Sequence, residues 1–326
     1  MRLQKRMMRV MRIDDCLAGV KTVGITGHVR PDGDCTGSCL GLYNYIKDNY
    51  PQIDVDIYLE QPGAEFNYLT GIDSIKNEPE DKIYDLFFVL DCSSFDRILP
   101  FESCFKKASK TMCIDHHISN SGFADECVIK PEASSASEVL YQLLDSSKVS
   151  KNAAECIYTG IIHDTGVFKY SCTSRTTMAI AGELMEKGIS YTDIIDNSFY
   201  TKTYIQNQIL GRALLESVMF YDGKCIFSAV SRDIMNFYNI TGKDLGGIVE
   251  QLRLTEGVEV AIFLYETGDK EYKVSMRSKN TIDVAKIAMK FNGGGHVRAA
   301  GFTGKGTVHQ IINSISNYIE EQFSNM

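Results

Sequence analysis

The chain has no run of about 18 apolar residues, the length a helix needs to cross a bilayer, so a membrane-spanning helix is not expected. Residues 1–12 mix Arg and Lys with Met and lack a continuous apolar stretch, which excludes a secretory signal of the usual form; a frayed basic leader is expected there. Ten cysteines include no CxxC pair, which removes the usual zinc-site spacing. Cys35 and Cys39 lie closest together, but without a second pair they are read as buried thiols of a reducing cytoplasm. Basic excess is missing as well. The net charge of −8 speaks against gripping a long duplex by many phosphate contacts. A small phosphorylated substrate stays compatible, because bound cations add charge that the sequence count omits.

Histidine is scarce, with six in 326 residues, and its placement is therefore informative. Five lie in short clusters dense in Asp and Gly. These are His28-Val29-Arg30-Pro31-Asp32-Gly33-Asp34, Asp115-His116-His117, His163-Asp164-Thr165-Gly166 and Gly293-Gly294-Gly295-His296; Leu90-Asp91-Cys92 adds a further carboxylate. Imidazoles spent beside carboxylates point to a metal-dependent hydrolase with two ions.

The length suggests two domains. Residues 23–29, 55–59, 86–90 and 111–114 read as buried strands, and residues 36–47, 134–144, 152–162 and 174–185 as helices. Ser134 or Ser135 is placed to cap the second helix, with Glu138 spaced for a capping box. This alternation predicts an α/β fold with a mainly parallel open sheet and helices on both faces, over residues 1–189. Residues 190–216 are polar and helical, a connector. Residues 217–326 predict a smaller α/β unit, with strands at 224–231, 258–265 and 272–276 and helices at 245–254 and 282–291. His28, Asp91 and Asp115 all fall at or just past strand ends, the edge where open α/β sheets bind ligands.

On an extended loop Asp32 and Asp34 would point to opposite sides and address different metals, with His28 sharing the metal of Asp32. Carboxylates plus neutral imidazole suit Mn²⁺, with Mg²⁺ or Co²⁺ as substitutes. Asp91 follows an apolar strand, where a lone carboxylate is costly unless paired or metal-bound. Of the adjacent trio, His116 is the expected ligand, Asp115 the supporting group and His117 the one facing substrate. Asp164 ends a helix that Gly166 can stop; His163 is either a support or helix surface. In the second half, Gly293, Gly294 and Gly295 exceed what a helix C-cap needs and would let backbone N–H groups approach an anion. His296, Arg298, Arg277 and Ser278 would complete a phosphate grip.

At these motifs the chain resembles the DHH phosphoesterase superfamily, in the branch with a DHHA1 second domain, over nearly its full length. Its length is similar to that of stand-alone nanoRNase and pAp phosphatase proteins. The resemblance implies a binuclear Mn²⁺ site in the cleft between the domains. His28, Asp32 and Asp91 would hold one ion, and Asp34, Asp91, His116 and Asp164 the other, with Asp91 bridging. It implies very short oligoribonucleotides and 3′-phosphoadenosine 5′-phosphate (pAp) as substrates, Asp115 and His117 in catalysis, and the residues around His296 on the substrate phosphate. Cys35 stands where the family often has alanine. A cytoplasmic protein is expected, and a homodimer stays open. Alternatives are cleavage of linear or cyclic dinucleotide messengers, or a non-catalytic nucleotide- or RNA-binding module. The glycine motif argues against a pyrophosphatase, and the lack of added nucleic-acid-binding domains argues against a RecJ-type nuclease.

Overall fold

The computed structural model describes residues 12–324, so the expected basic leader at 1–11 lies outside the described residues. Two compact units divide between Thr201 and Lys202, inside the stretch read as a connector.

In the first unit, short apolar segments become β1 (Thr22–Thr26), β2 (Asp54–Tyr58), β3 (Ile75–Lys76), β4 (Leu86–Leu90), β5 (Thr111–Asp115) and β6 (Glu126–Ile129). They form one sheet of order β3-β2-β1-β4-β5-β6, parallel at every pairing. The parallel α/β expectation is met. β3 and β6 are additions, too short to show a period in the sequence.

Period-two alternation sends Phe88 and Leu90 to one face of β4 and Phe87 and Val89 to the other. The first face packs on α2 (Gly33–Asn49), α4 (Ala136–Leu143) and α5 (Lys151–Asp164), with α1 (Ile13–Cys16) and α6 (Arg175–Met185) in the same core. The second is covered by an aromatic cluster containing Phe101 and by Phe105 of α3 (Glu102–Lys107). Each of these buried side chains contributes roughly 1.5–3 kcal/mol of apolar burial.

Helix α2 starts three residues before the expected position because Asp32 caps it, accepting from the N–H groups of Asp34 and Cys35. Asp34 is thus helical, which corrects the extended-loop reading of residues 32–34. Gly37 lowers α2's intrinsic helicity by about 1 kcal/mol, yet a Cβ there would lie 2.5 Å from the Cys156 carbonyl and 2.7 Å from Gly160 N. Close passage of α2 against α5 demands it. Ser135 caps α4 by accepting from Glu138 N; the Glu138 carboxylate turns instead to Ser134 N and Oγ. After α7 (Tyr191–Ile195), residues Asp196–Tyr200 form a π-helical turn.

The second unit opens with α8 (Tyr204–Leu215). Its sheet orders β11 (Gly294–His296), β12 (Ala299–Lys305), β10 (Glu271–Ser278), β9 (Val260–Gly268), β8 (Cys225–Val230) and β7 (Val218–Phe220). Only β8 and β9 run parallel; the other pairings are antiparallel. One face packs on α11 (Val284–Met289) and α12 (Val308–Ser324). The other packs on α8, α9 (Arg232–Tyr238) and α10 (Ile248–Arg253). Among the described residues no helix is long and apolar enough to cross a membrane.

Candidate metal centre

The strand order reverses between β1 and β4. In open parallel sheets the crevice past the C-terminal ends at such a reversal is where ligands bind. Here the chain delivers His28 two residues after β1, Asp91 directly after β4, and Asp115 as the last residue of β5, followed by His116 and His117.

His28 Nδ1 lies 2.9 Å from the Val29 carbonyl. A carbonyl only accepts, so Nδ1 carries the hydrogen and Nε2 faces inward. Nε2 lies 3.6 Å from Asp32 Oδ2 and 3.4 Å from Asp91 Oδ2. Asp91 adopts a left-handed backbone, φ 50°, and is 2% exposed. Its Oδ1 is buried without a hydrogen-bond partner, 3.7 Å from His116 Nε2 and 3.6 Å from His117 Nδ1. These separations are too long for hydrogen bonds. The His28 and His116 separations are close to the roughly 3–3.6 Å between ligand atoms that share a cation about 2.0–2.2 Å away, whereas His117 Nδ1 is turned to Asp115. A buried orphan oxygen among imidazoles is costly by itself and fits a cation well.

Asp34 is fully buried against the start of α4, where Oδ2 accepts from Ala136 N at 2.6 Å and Oδ1 from Ser137 N at 3.0 Å. His116 Nε2 lies 3.1 Å from Asp164 Oδ2. Among the described residues, donor atoms within 4.8 Å of one another form three groups: His28, Cys35 and Asp91; Asp91, His116 and His117; Asp34, His116 and Asp164. Asp91 and His116 each belong to two groups, so the centre is continuous. Of the expected metal residues, His28, Asp34, Asp91, His116 and Asp164 fall in these groups, and the more exposed Asp32 joins them only through His28, 3.6 Å away.

The electrostatics are those of a site built for positive charge. Burial, then the Asp91 and Asp164 carboxylates, push Asp34 well above the usual carboxylate range. Asp164 is raised chiefly by burial, with Asp91 adding to it. Burial opposes protonation of His28, but Asp32 and Asp91 outweigh it and hold the imidazole at about 11. His116 is likewise held at about 10, with Asp164 and Asp34 overcoming burial. Desolvation works against Asp32 ionising, yet His28 and the first amides of α2 bring it down to about 2. Carboxylates crowded in low dielectric draw in cations, and metal binding there displaces protons.

His117 Nδ1 is 2.8 Å from Asp115 Oδ1, and Asn120 Nδ2 donates to Asp115 Oδ2 at 2.7 Å. Asp115 is fully buried between these two partners. The bond to Asp115, opposed by burial, raises His117 above the ordinary imidazole range. Asn120 carried no signal in the sequence beyond its closeness to the histidines. His163 is not helix surface. It packs between Phe66 and Phe199, with ring centroids 5.0 and 5.5 Å away, and its Nε2 lies 3.1 Å from Ser198 Oγ. A Cβ on Gly33 would lie 2.2 Å from the His163 ring, so His163 backs the Asp32–Asp34 turn.

The expected phosphate grip is partly corrected. Ser278 is buried, and its hydroxyl donates to the Ile282 carbonyl at 2.6 Å, so it holds its own loop. Arg277 Nε pairs with Glu250 at 2.5 Å. Gly293–Gly295 are neither an open loop nor a simple C-cap: β11 and β12 form a hairpin across them. A Cβ on Gly293 would strike Gly301 O at 2.3 Å and one on Gly295 would strike Ala299 O at 2.4 Å, whereas one on Gly294 would meet nothing within 4 Å. Gly294 and His296 are exposed, and so is Arg298, whose Nη1 donates to the Ile282 carbonyl at 2.9 Å.

Residues 22–161 match the DHH family, N-terminal domain, and residues 222–325 match the DHHA1 domain. The bifunctional oligoribonuclease and PAP phosphatase NrnA of Bacillus subtilis is 28% identical over 86% of this chain and 88% of its own. The protein of the same name from Thermus thermophilus is 28% identical over 86% and 84%. The crystal structure of an exopolyphosphatase-related protein from Bacteroides fragilis superposes with TM-score 0.83 and 25% identity, covering 95% of this chain and 94% of that one. The chain therefore belongs to the DHH phosphoesterase family, in the branch that carries a DHHA1 domain, and it is an enzyme.

Proposed function

We propose that this enzyme hydrolyses phosphate esters in very short oligoribonucleotides and in pAp, with two Mn²⁺ ions as cofactors. His28, Asp32 and Asp91 would hold one ion; Asp34, Asp91, His116 and Asp164 would hold the other. When bound, such ions supply Lewis acidity at phosphorus and a water acidic enough to attack at neutral pH. The observation that carries this reading is the buried, unpartnered Oδ1 of Asp91, which faces His116 and His117 across 3.6–3.7 Å.

The chain's own residues do the rest. Asp115 accepts a hydrogen bond from His117 Nδ1, which leaves Nε2 to deliver a proton to the departing oxygen. The bond to Asp115 raises the affinity of His117 for its proton, which favours the role of acid. The amides of Ala136 and Ser137 fix Asp34, so it does not reorganise during turnover. In the second unit, Gly294, His296 and Arg298 present exposed donors for the substrate phosphate, with Arg277 paired to Ala299 where β10 meets β12. The same reading assigns residues 1–189 to catalysis, 190–216 to a connector and 217–326 to substrate binding.

A panel of pAp, linear dinucleotides, five-nucleotide RNA, cyclic dinucleotides and pyrophosphate, each with Mn²⁺, tests it. The highest kcat/KM is expected on pAp and the short linear RNAs. A clear preference for cyclic dinucleotides or pyrophosphate overturns the substrate assignment.

A further inference from the structure

The position framed by His28 and Asp91 has a sulfur donor at its inner wall. Cys35 is the third residue of α2 and fully buried. Its N–H is held at 3.1 Å by Asp32 Oδ1, the same carboxylate whose Oδ2 faces His28. Its thiol, His28 and Asp91 offer donor atoms that all lie within 4.8 Å of one another. The sulfur is locked in place: a Cβ on Gly27 would lie 2.3 Å from Sγ, so the β1 exit strand runs directly against it. Its bonds are weak ones, a 3.8 Å contact to the His28 carbonyl and a contact with Cys39.

Mn²⁺ takes hard oxygen and imidazole donors, whereas a thiolate is chosen by Zn²⁺, Co²⁺ and other softer ions. We infer that Cys35 is a conditional ligand of this position, ignored by Mn²⁺ but joining His28, Asp32 and Asp91 around a thiophilic divalent cation. The inference rests on the proposed reading of those three residues as metal ligands. Binding breaks the S–H bond, releases the proton to solvent and forms a sulfur–metal bond, with no change of oxidation state. An added thiolate beside His28 and Asp91 moves the position toward the all-protein coordination zinc prefers in closed, structural sites, whereas catalytic zinc sites keep a position open. Zn²⁺ thus occupies the site tightly and inhibits turnover supported by Mn²⁺.

Titrating the full chain with Co²⁺ tests this. The wild type is expected to show the near-ultraviolet thiolate-to-cobalt charge-transfer band, saturating with added metal. Cys35→Ser, which keeps the volume but loses the soft donor, should bind Co²⁺ by calorimetry without that band; Cys39→Ala should retain it. Zn²⁺ affinity should fall about 10–100-fold in Cys35→Ser, with Mn²⁺ affinity nearly constant. Co²⁺ binding to the wild type without the band, or the band persisting in Cys35→Ser, overturns the role of Cys35 alone. No Co²⁺ or Mn²⁺ binding to the wild type overturns the metal-site reading beneath it.

Discussion

Gly160 sits in α5 where Asp34 is packed against α4, and adding one methyl group there probes how tightly the centre is built. The Cβ of Gly160→Ala would lie 2.0 Å from Ser137 Oγ, 2.8 Å from Ser137 Cβ and 2.7 Å from Asp34 Oδ1. Comfortable heavy-atom contacts are about 3.5–4.0 Å, so α4 or Asp34 must retreat by roughly 1 Å. Overpacking of this kind costs about 1–3 kcal/mol, more than the roughly 1 kcal/mol of helix propensity gained. For a unit of this size the net loss, up to about 2 kcal/mol, lowers Tm by up to roughly 8 °C. Because Asp34 moves, kcat should fall by about 100-fold although Gly160 touches no substrate. Gly182→Ala in α6 is the control, since its Cβ would meet nothing within 4 Å; a gain of about 0.5–1 kcal/mol is expected. Thermal melts and Mn²⁺-supported pAp hydrolysis read both. If Gly160→Ala keeps wild-type Tm and activity, the close packing of Asp34 against α4 and α5 is refuted.

Gly294→Ala should leave Tm within about 1 °C, since its Cβ meets open space, but raise KM for pAp. Gly295→Ala should destabilise the second unit by about 1–3 kcal/mol, because its φ is 142° and its Cβ would strike Ala299 O. Asp115→Asn should lower kcat about 100–1,000-fold with KM and metal stoichiometry nearly unchanged, as His117 loses its orienting acceptor. Burial opposes ionisation of Glu259, but the N–H groups of Thr281, Asn280 and Ile282 outweigh it and lower its pKa. Its stabilising effect is present above the unfolded value of 4.5 and fades as pH falls through the lower folded value. Glu259→Gln should therefore reduce the second unit's Tm at pH 7 by roughly 3–5 °C, about 1 kcal/mol. The difference from wild type should shrink in melts run below that range.

The part of the fold written in continuous apolar segments was legible. Leu86–Leu90 is apolar throughout because both of its faces are covered, and the carboxylates after such strands marked the binding edge. Helix α12 carries an equally plain signal in Ile311, Ile312, Ile315 and Ile319, though it lies outside the expected elements. Asp34 and α4 could not be paired from sequence, since its partners are backbone amides 102 and 103 residues away and every residue but proline has one. Hairpin β11–β12 was hidden because glycines there serve close strand approach rather than strand propensity. Ser278 was legible in retrospect. Neighbours on a strand face opposite sides, so Arg277 and Ser278 could not both grip one phosphate.

On the proposed reading, carboxylates and imidazoles from four chain segments share two divalent cations through Asp91. Equilibrium dialysis with Mn²⁺, read by elemental analysis, counts the ions directly in wild type and in Asp91→Asn. The substitution keeps the side-chain shape and suits the left-handed backbone at φ 50°, where Asn is tolerated. Two ions per wild-type chain, with at least one lost and hydrolysis abolished in Asp91→Asn, is the predicted result. A variant that binds the same number of ions as the wild type, with unchanged affinity, contradicts the account.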